Sequence, residues 1–213
     1  MEGGSLYSYR LRIGRQLARE SFIDADMVIG IPDSGIPAAI GFSQESGIPY
    51  AEGLIKNRYV GRTFIQPTQH MRESGIRMKL NPLKDVLEGK RVIMVDDSIV
   101  RGNTSKKIVK ALQDSGAKEV HMRISSPPVT HPCFYGIDTD NQEQLIGATK
   151  SVAEIATQIG VESLAYLSWE GMLKSTKEDP NSFCSACFTG NYPIPLPQRL
   201  KRSKLMLENP IQV

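Results

Sequence analysis

Two adjacent carboxylates follow a short apolar stretch of the chain. The stretch is residues 92–95, and Asp96 and Asp97 come directly after it. Four apolar residues in a row are typical of a buried strand. Ligands of open α/β sheets bind at the carboxyl ends of the strands. The two carboxylates are therefore candidate ligands for sugar hydroxyls and for a metal ion.

The turn after the carboxylates suits a phosphate group. It contains Gly102 and leads into Thr104 and Ser105, where apolar residues begin to recur at helical spacing. A helix N-terminus presents unpaired N–H groups, and the two hydroxyls add further donors. One loop thus offers carboxylates at one end and an anion site at the other, as a sugar phosphate requires. The alternative is a surface turn with an ordinary helix cap, which an apolar strand running straight into two aspartates disfavours.

The elements around this loop predict an α/β fold with a mostly parallel sheet and flanking helices. The strand-like stretches are residues 27–31, 49–55, 92–95, 118–124 and 164–167. Helical patterns occupy residues 6–20, 37–46, 82–88, 104–115, 141–147, 152–159 and 169–174. Residues 56–80 show no periodicity, and a loop of this length in a compact domain is usually functional or mobile.

Composition and missing motifs exclude several classes of protein. The 213 residues include 26 basic and 23 acidic ones, a balance too even to predict nucleic-acid binding. No apolar stretch is long enough to span a membrane and no signal peptide is recognisable, so we expect a cytoplasmic protein that acts without a membrane. The sequence contains no dinucleotide fingerprint, no Walker A motif and no recognisable Ser-His-Asp set.

Residues 92–105 resemble the fingerprint of the type I phosphoribosyltransferases, which bind phosphoribosyl pyrophosphate (PRPP). Residues 56–67 resemble the flexible loop of one branch, the glutamine PRPP amidotransferases, and residues 32–35 resemble its pyrophosphate loop. The resemblance extends over residues 5–193. It implies a type I phosphoribosyltransferase domain over residues 1–173, followed by a cysteine-containing C-terminal tail over residues 174–213.

The resemblance also implies a role for each loop. Asp96 and Asp97 would contact the ribose hydroxyls and Mg²⁺, with Ser34 as a further metal ligand. Backbone N–H groups of the pyrophosphate loop would form an anion site. The flexible loop would close over PRPP, exclude water and supply positively charged catalytic residues. The implied residues are Asp33, Ser34 and Gly35 for pyrophosphate; Arg101, Gly102, Asn103, Thr104 and Ser105 for the 5′-phosphate; and Lys56, Arg58 and Arg62 for catalysis.

Enzymes of this branch hydrolyse glutamine in an N-terminal domain and pass the ammonia to PRPP. The products are 5-phosphoribosylamine, pyrophosphate and glutamate, in the first committed step of purine synthesis. No part of this sequence resembles the glutaminase domain. We therefore expect the chain to be the transferase half, with PRPP and ammonia as substrates, a glutaminase domain as partner and a homo-oligomeric assembly.

Three cysteines form a further candidate site. Cys184 and Cys187 make a Cys-x-x-Cys, and Cys133 lies in a Pro-rich loop. From the residues alone, structural zinc, a redox pair and unligated thiols all remain possible. One group of the amidotransferases carries a [4Fe–4S] cluster on four cysteines, and the sequences around these three resemble its ligand segments. The resemblance implies a structural cluster that holds the tail on the domain, with its fourth ligand outside this chain.

Two other functions remain open. A base-salvage phosphoribosyltransferase would share Asp96 and Asp97, but residues 56–67 and the cysteine tail argue against it. A non-catalytic PRPP-binding regulator would need a DNA-binding helical domain, which we do not find. Activity with ammonia as the nucleophile separates these functions.

Overall fold

A four-stranded parallel sheet forms the centre of the computed structural model, which describes residues 5–57, 80–137, 139 and 141–195. The strands in this part of the chain are β1 (Met27–Gly30), β2 (Leu54–Lys56), β3 (Leu80–Pro82), β4 (Arg91–Asp96), β5 (Glu119–Ile124) and β6 (Ser163–Tyr166). The parallel sheet has the order β1-β4-β5-β6, and β2 and β3 form a separate antiparallel pair. The predicted α/β fold with a mostly parallel sheet is confirmed.

Helices cover both faces of the parallel sheet. They are α1 (Leu6–Glu20), α2 (Ile36–Ser46), α3 (Lys84–Leu87), α4 (Asn103–Asp114), α5 (Ile146–Thr149), α6 (Val152–Ile159), α7 (Trp169–Thr176) and α8 (Ala186–Thr189). Short 3₁₀ turns occur at Gln142–Gln144 and Pro180–Ser182. The predicted capping box of α6 is present, since the side chains of Ser151 and Glu154 each accept a bond from the other residue's backbone N–H. None of the helices in the described ranges is long and apolar enough to cross a membrane.

The central strand β4 is buried on both faces of the sheet, which explains why its sequence is an uninterrupted apolar run. Val92 and Met94 belong to the core beneath α4, whereas Ile93 and Val95 belong to the core beneath α1 and α2. Successive side chains of a strand point to opposite faces, and both faces are covered here. All four side chains are consequently fully buried. β4 is thus a rigid platform for the two aspartates at its end.

Two predicted elements differ from the structure. The predicted strand 49–55 makes only one bridge with the central sheet, between Tyr50 and Val28, because the chain then leaves the edge of β1. The Gly53 carbonyl instead accepts from the Leu83 N–H at 3.0 Å, and β2 pairs with β3. The predicted helix 141–147 is divided, because Leu145 takes an extended conformation and its side chain is buried in the core.

The segment after α7 packs against the loop that follows β5. The Cys187 carbonyl accepts from the backbone N–H groups of Thr130 and His131, both at 3.0 Å. The Tyr192 hydroxyl donates to the Pro132 carbonyl at 2.7 Å. The boundary predicted between residues 173 and 174 lies within α7, and the division into a domain and a tail stays a prediction.

Candidate active site

Three loops meet at the carboxyl end of β4. The Ile31 N–H, just after β1, donates to the Val95 carbonyl at 2.9 Å. On the other side, the backbone N–H and the hydroxyl of Ser125 both donate to the Asp96 carbonyl, at 2.9 and 3.1 Å. The loops after β1, β4 and β5 therefore lie side by side at one edge of the sheet, where ligands of open α/β sheets bind.

The two aspartates are adjacent but have different surroundings. Asp96 is half-buried and Asp97 is exposed. The Asp97 N–H donates to Asp96 Oδ1 at 2.9 Å. Burial, and secondly the negative charge of Asp97, raise the pKa of Asp96 to about 7. Such a shift marks a carboxylate that is costly to ionise until a cation arrives.

The candidate pyrophosphate loop turns tightly against the end of β4. The Gly35 N–H donates to the Ile31 carbonyl at 2.9 Å. A Cβ atom at Gly35 would lie 2.6 Å from the Val95 carbonyl oxygen, so only glycine fits there. The peptide bond between Pro32 and Asp33 is cis. Gly35 precedes α2 and no side chain caps this helix, so the first-turn donors that face an anion are the N–H groups of Ile36 and Ala38, since Pro37 has none.

The second candidate anion site lies at the start of α4. Gly102 caps this helix in the left-handed region, with φ +76°, and no side chain caps the first turn. Asn103 and Thr104 are exposed, whereas Ser105 is buried at 5% exposure. The first turn of α4 therefore offers backbone N–H groups and the Thr104 hydroxyl, and the Ser105 side chain faces the interior.

One of the three predicted catalytic residues with a positive charge lies beside the candidate pyrophosphate loop. Lys56 ends β2, and its ammonium group forms an ion pair with the Asp33 carboxylate. The structure thus brings together Lys56 and Asp33, which are 23 positions apart in the sequence. Arg58 and Arg62 lie outside the described residues. Arg101 is exposed next to Gly102.

Ser125 is a residue that the sequence reasoning missed. Its hydroxyl and N–H both hold the carbonyl of Asp96, so it fixes the point where β4 ends. Its position directly after a predicted strand, two residues before Pro127 and Pro128, was the available signal.

The three cysteines lie on the two segments that pack together. Burial, and then the neighbouring thiols of Cys133 and Cys184, raise the pKa of the Cys187 thiol. The Tyr135 N–H donates to Cys133 Sγ at 3.4 Å. Across the described ranges, no three His, Cys, Asp or Glu side chains are arranged as a metal site. The structure therefore brings Cys133 towards the Cys-x-x-Cys without forming a closed ligand set.

Comparisons with known proteins agree with this geometry. Residues 9–125 match the family model described as phosphoribosyl transferase domain. The chain is 78% identical over 205 residues to the amidophosphoribosyltransferase of Synechocystis sp., a match that covers 96% of this chain and 41% of that protein. The Bacillus subtilis amidophosphoribosyltransferase is 56% identical over 202 residues, with 93% and 42% covered.

A solved structure of an amidotransferase is also similar to this chain in fold and sequence. It is the B. subtilis glutamine PRPP amidotransferase complexed with ADP and GMP, with a TM-score of 0.84 and 56% identity, covering 92% of this chain and 44% of that one. The chain spans about two fifths of the length of the curated relatives it matches. Because the family model covers more than half of its 213 residues, the chain belongs to the phosphoribosyl transferase domain family.

Proposed function

We propose that this chain transfers the phosphoribosyl group of PRPP to ammonia, giving 5-phosphoribosylamine and pyrophosphate, as the transferase half of an amidophosphoribosyltransferase. The observation that carries the proposal is an arrangement of three sites at one sheet edge. The helices α2 and α4 both begin there without side-chain caps, and the pair Asp96–Asp97 lies at the carboxyl end of β4, which pairs with β1 and leads into α4. PRPP has a matching order of groups: a pyrophosphate, a ribose diol and a 5′-phosphate.

The residues around these sites have complementary roles in the reaction. The N-terminus of α4 binds the 5′-phosphate, and the loop that leads into α2 binds the pyrophosphate. Asp96 and Asp97 accept hydrogen bonds from the ribose hydroxyls. As pyrophosphate departs, the ribose carbon becomes cation-like, so catalysis depends on holding the ribose still and neutralising the leaving group. Lys56 contributes positive charge on the pyrophosphate side, and Arg58 and Arg62 are the other proposed catalytic cations.

The oxygen ligands at this site suit Mg²⁺. Asp96, Asp97 and the Ser34 hydroxyl are hard donors, and the raised pKa of Asp96 is that of a carboxylate that a cation would stabilise in its ionised form. When bound, Mg²⁺ supplies the positive charge that the departing pyrophosphate needs. Ser34 lies in the pyrophosphate loop, between Asp33 and Gly35.

Pyrophosphate release tests the proposed function. We expect the chain to release pyrophosphate from PRPP when both magnesium and ammonia are present, and not when glutamine replaces ammonia. A base-salvage enzyme would instead require a nucleobase, and a non-catalytic regulator would bind PRPP without turnover. Turnover with glutamine equal to that with ammonia would show that the chain needs no separate glutaminase domain.

The complete protein would contain a further domain and would assemble with copies of itself. A glutaminase domain would supply ammonia to the site, and the assembly would be a homo-oligomer in the cytoplasm. The relatives' greater length is the observation that supports a further domain.

The cysteines would hold a [4Fe–4S] cluster. Cys133, Cys184 and Cys187 provide three thiolates, and the fourth would come from the rest of the complete protein. Two features support this ligand set: the thiols of Cys133 and Cys184 lie near enough to Cys187 to add to the effect of burial on its pKa, and the Tyr135 N–H donates a hydrogen bond to Cys133 Sγ. A cluster at this position would crosslink the segment around α8 to the loop after β5, a structural role.

Metal analysis tests the cluster independently of activity. Full-length protein purified without oxygen should contain about four irons with matching sulfide, whereas Cys133→Ser should lose most of that iron. The matched control is Ser182→Ala, an exposed position next to the Cys-x-x-Cys segment, which should keep it. Stoichiometric zinc without iron would contradict the proposal.

A further inference from the structure

The turn that leads into α4 is supported from behind by a residue much later in the chain. The Ile146 N–H donates to the Val100 carbonyl at 2.9 Å. The Ile146 Cδ1 atom lies only 3.0 Å from the position that a Cβ atom would take at Gly102. Ile146 is 4% exposed, so it contacts this turn from the interior.

Gly102 is held tightly by these contacts. It is buried, and its φ of +76° sets the direction in which α4 leaves the turn. Its carbonyl accepts from the Lys106 N–H at 3.0 Å, the first bond of the helix. Movement of Gly102 towards the interior is blocked by Ile146, and the Val100 carbonyl is tied to the same residue. Ile146 thus fixes both sides of the turn.

The segment that carries Ile146 has little freedom of its own. On one side it contacts the turn before α4, and on the other Gly147 faces the loop after β5. A Cβ atom at Gly147 would lie 3.0 Å from the Val129 carbonyl oxygen and 3.3 Å from Pro128 Cβ. Leu145 is fully buried in the core. Residues 145–149, which we name the wedge, therefore occupy one position between two loops of the candidate active site.

We propose that Ile146 is a positioning residue for the 5′-phosphate of PRPP, an inference that rests on the proposed function. It does not touch the ligand; it holds Gly102 so that the first-turn N–H groups of α4 keep their direction. Hydrogen-bond donors bind an anion well only when their geometry is fixed, and supporting residues provide that precision. Truncation of Ile146 opens space behind Gly102 and lets the turn move away from the phosphate.

The predicted effect is selective for one end of PRPP. In the full chain, Ile146→Ala should weaken binding of ribose 5-phosphate and raise the KM for PRPP by roughly tenfold, the order of effect seen when outer supporting residues of a site are lost. It should change kcat less than about twofold, since the groups around the reacting carbon are unaltered. Binding of inorganic pyrophosphate should be unchanged, because that ligand uses the loop before α2. Ile146→Val, which removes only the Cδ1 atom that faces Gly102, should weaken ribose 5-phosphate binding in the same selective way but less than Ile146→Ala does.

Ile155→Ala is the matched control. Ile155 is equally buried, lies on α6 in the same core cluster, and is not among the nearest neighbours of Gly102. Ile155→Ala should lower thermal stability without altering the ratio of the affinities for ribose 5-phosphate and pyrophosphate. Equal weakening of ribose 5-phosphate and pyrophosphate by Ile146→Ala, or the same change in Ile155→Ala, would overturn the inference while PRPP binding by the unaltered chain still stands. Failure of the unaltered chain to bind PRPP would overturn the proposed function and the inference with it.

Discussion

Asp96→Asn should stabilise the ligand-free protein at pH 8 and abolish turnover of PRPP. Burial and the charge of Asp97 raise the pKa of Asp96 to about 7, from the usual 3.8. The folded state then keeps a proton that the unfolded state releases, so the free energy of unfolding falls as pH rises from about 4 to about 7. The full penalty, about 4 kcal/mol, remains above that range. Asparagine carries no charge and can still accept the Asp97 N–H through Oδ1, so it removes the penalty.

Asp96→Asn should lower turnover although it raises stability. The neutral amide cannot supply the negative charge that binds Mg²⁺ and the ribose, so turnover should fall by at least ~100-fold. Denaturation curves from about pH 5 to about pH 8.5 in magnesium-free buffer, together with pyrophosphate release, measure the two effects.

Asp114→Asn is the control for this prediction. Asp114 is exposed on α4 and pairs with Lys110 at 3.0 Å, a surface pair worth about 0.3–0.5 kcal/mol. Its removal should leave both the slope of stability with pH and the turnover nearly unchanged. Parallel stability curves for the unaltered protein and Asp96→Asn over the whole pH range would contradict the assignment of the raised pKa.

Gly35→Ala should remove PRPP binding almost completely. The added Cβ atom would lie 2.6 Å from the Val95 carbonyl oxygen and 3.0 Å from the backbone N and O of Ile31. The Ile31 N–H joins the loop to β4 by donating to the Val95 carbonyl at 2.9 Å, and the Ile31 carbonyl closes the loop by accepting from the Gly35 N–H at 2.9 Å. The loop must move off the strand end, at a cost of about 1–3 kcal/mol in stability. We expect PRPP affinity to fall by at least ~100-fold, since displaced donors no longer meet the pyrophosphate.

Gly47→Ala, at the other end of α2, separates loop geometry from helix stability. Gly47 has φ +75°, and no atom lies within 4 Å of the position that its Cβ atom would take, so alanine there costs only backbone strain of about 1 kcal/mol. PRPP affinity measured by calorimetry should be normal in Gly47→Ala. Normal affinity in Gly35→Ala would show that the loop after β1 is not the pyrophosphate site.

Local patterns in the sequence predicted the parts of the site that depend on one strand or one turn. The apolar run before Asp96 predicted β4, and the Ser151–Glu154 spacing predicted the capping box. The resemblance, rather than any periodicity, linked residues 32–35 to the same site. The structure then placed Gly35 against Val95, a contact between the loop after β1 and the neighbouring strand β4.

Contacts between distant segments could not be predicted in this way. Nothing in the sequence around Ile146 indicates that it lies behind Gly102, because the contact arises only when the wedge is seated between two loops. The path of residues 49–55 depends on the bond between Gly53 and Leu83, which joins segments across residues 58–79. The roles of Mg²⁺ and of the cysteines stay predictions for the same reason, since each depends on ligands from separate segments.

The first helix depends on residues that the ribosome adds much later. Glu20 accepts from the N–H and hydroxyl of Ser168, at 2.8 and 2.9 Å, across 148 positions. Arg12 donates to the Ser175 carbonyl at 2.7 Å, across 163 positions. At about 5–20 residues per second, these partners are synthesised roughly 7–30 s after α1. α1 and α2 can pair during that interval, but closure of α7 over α1 must be a late step of folding, and a chain that stops before residue 168 lacks it.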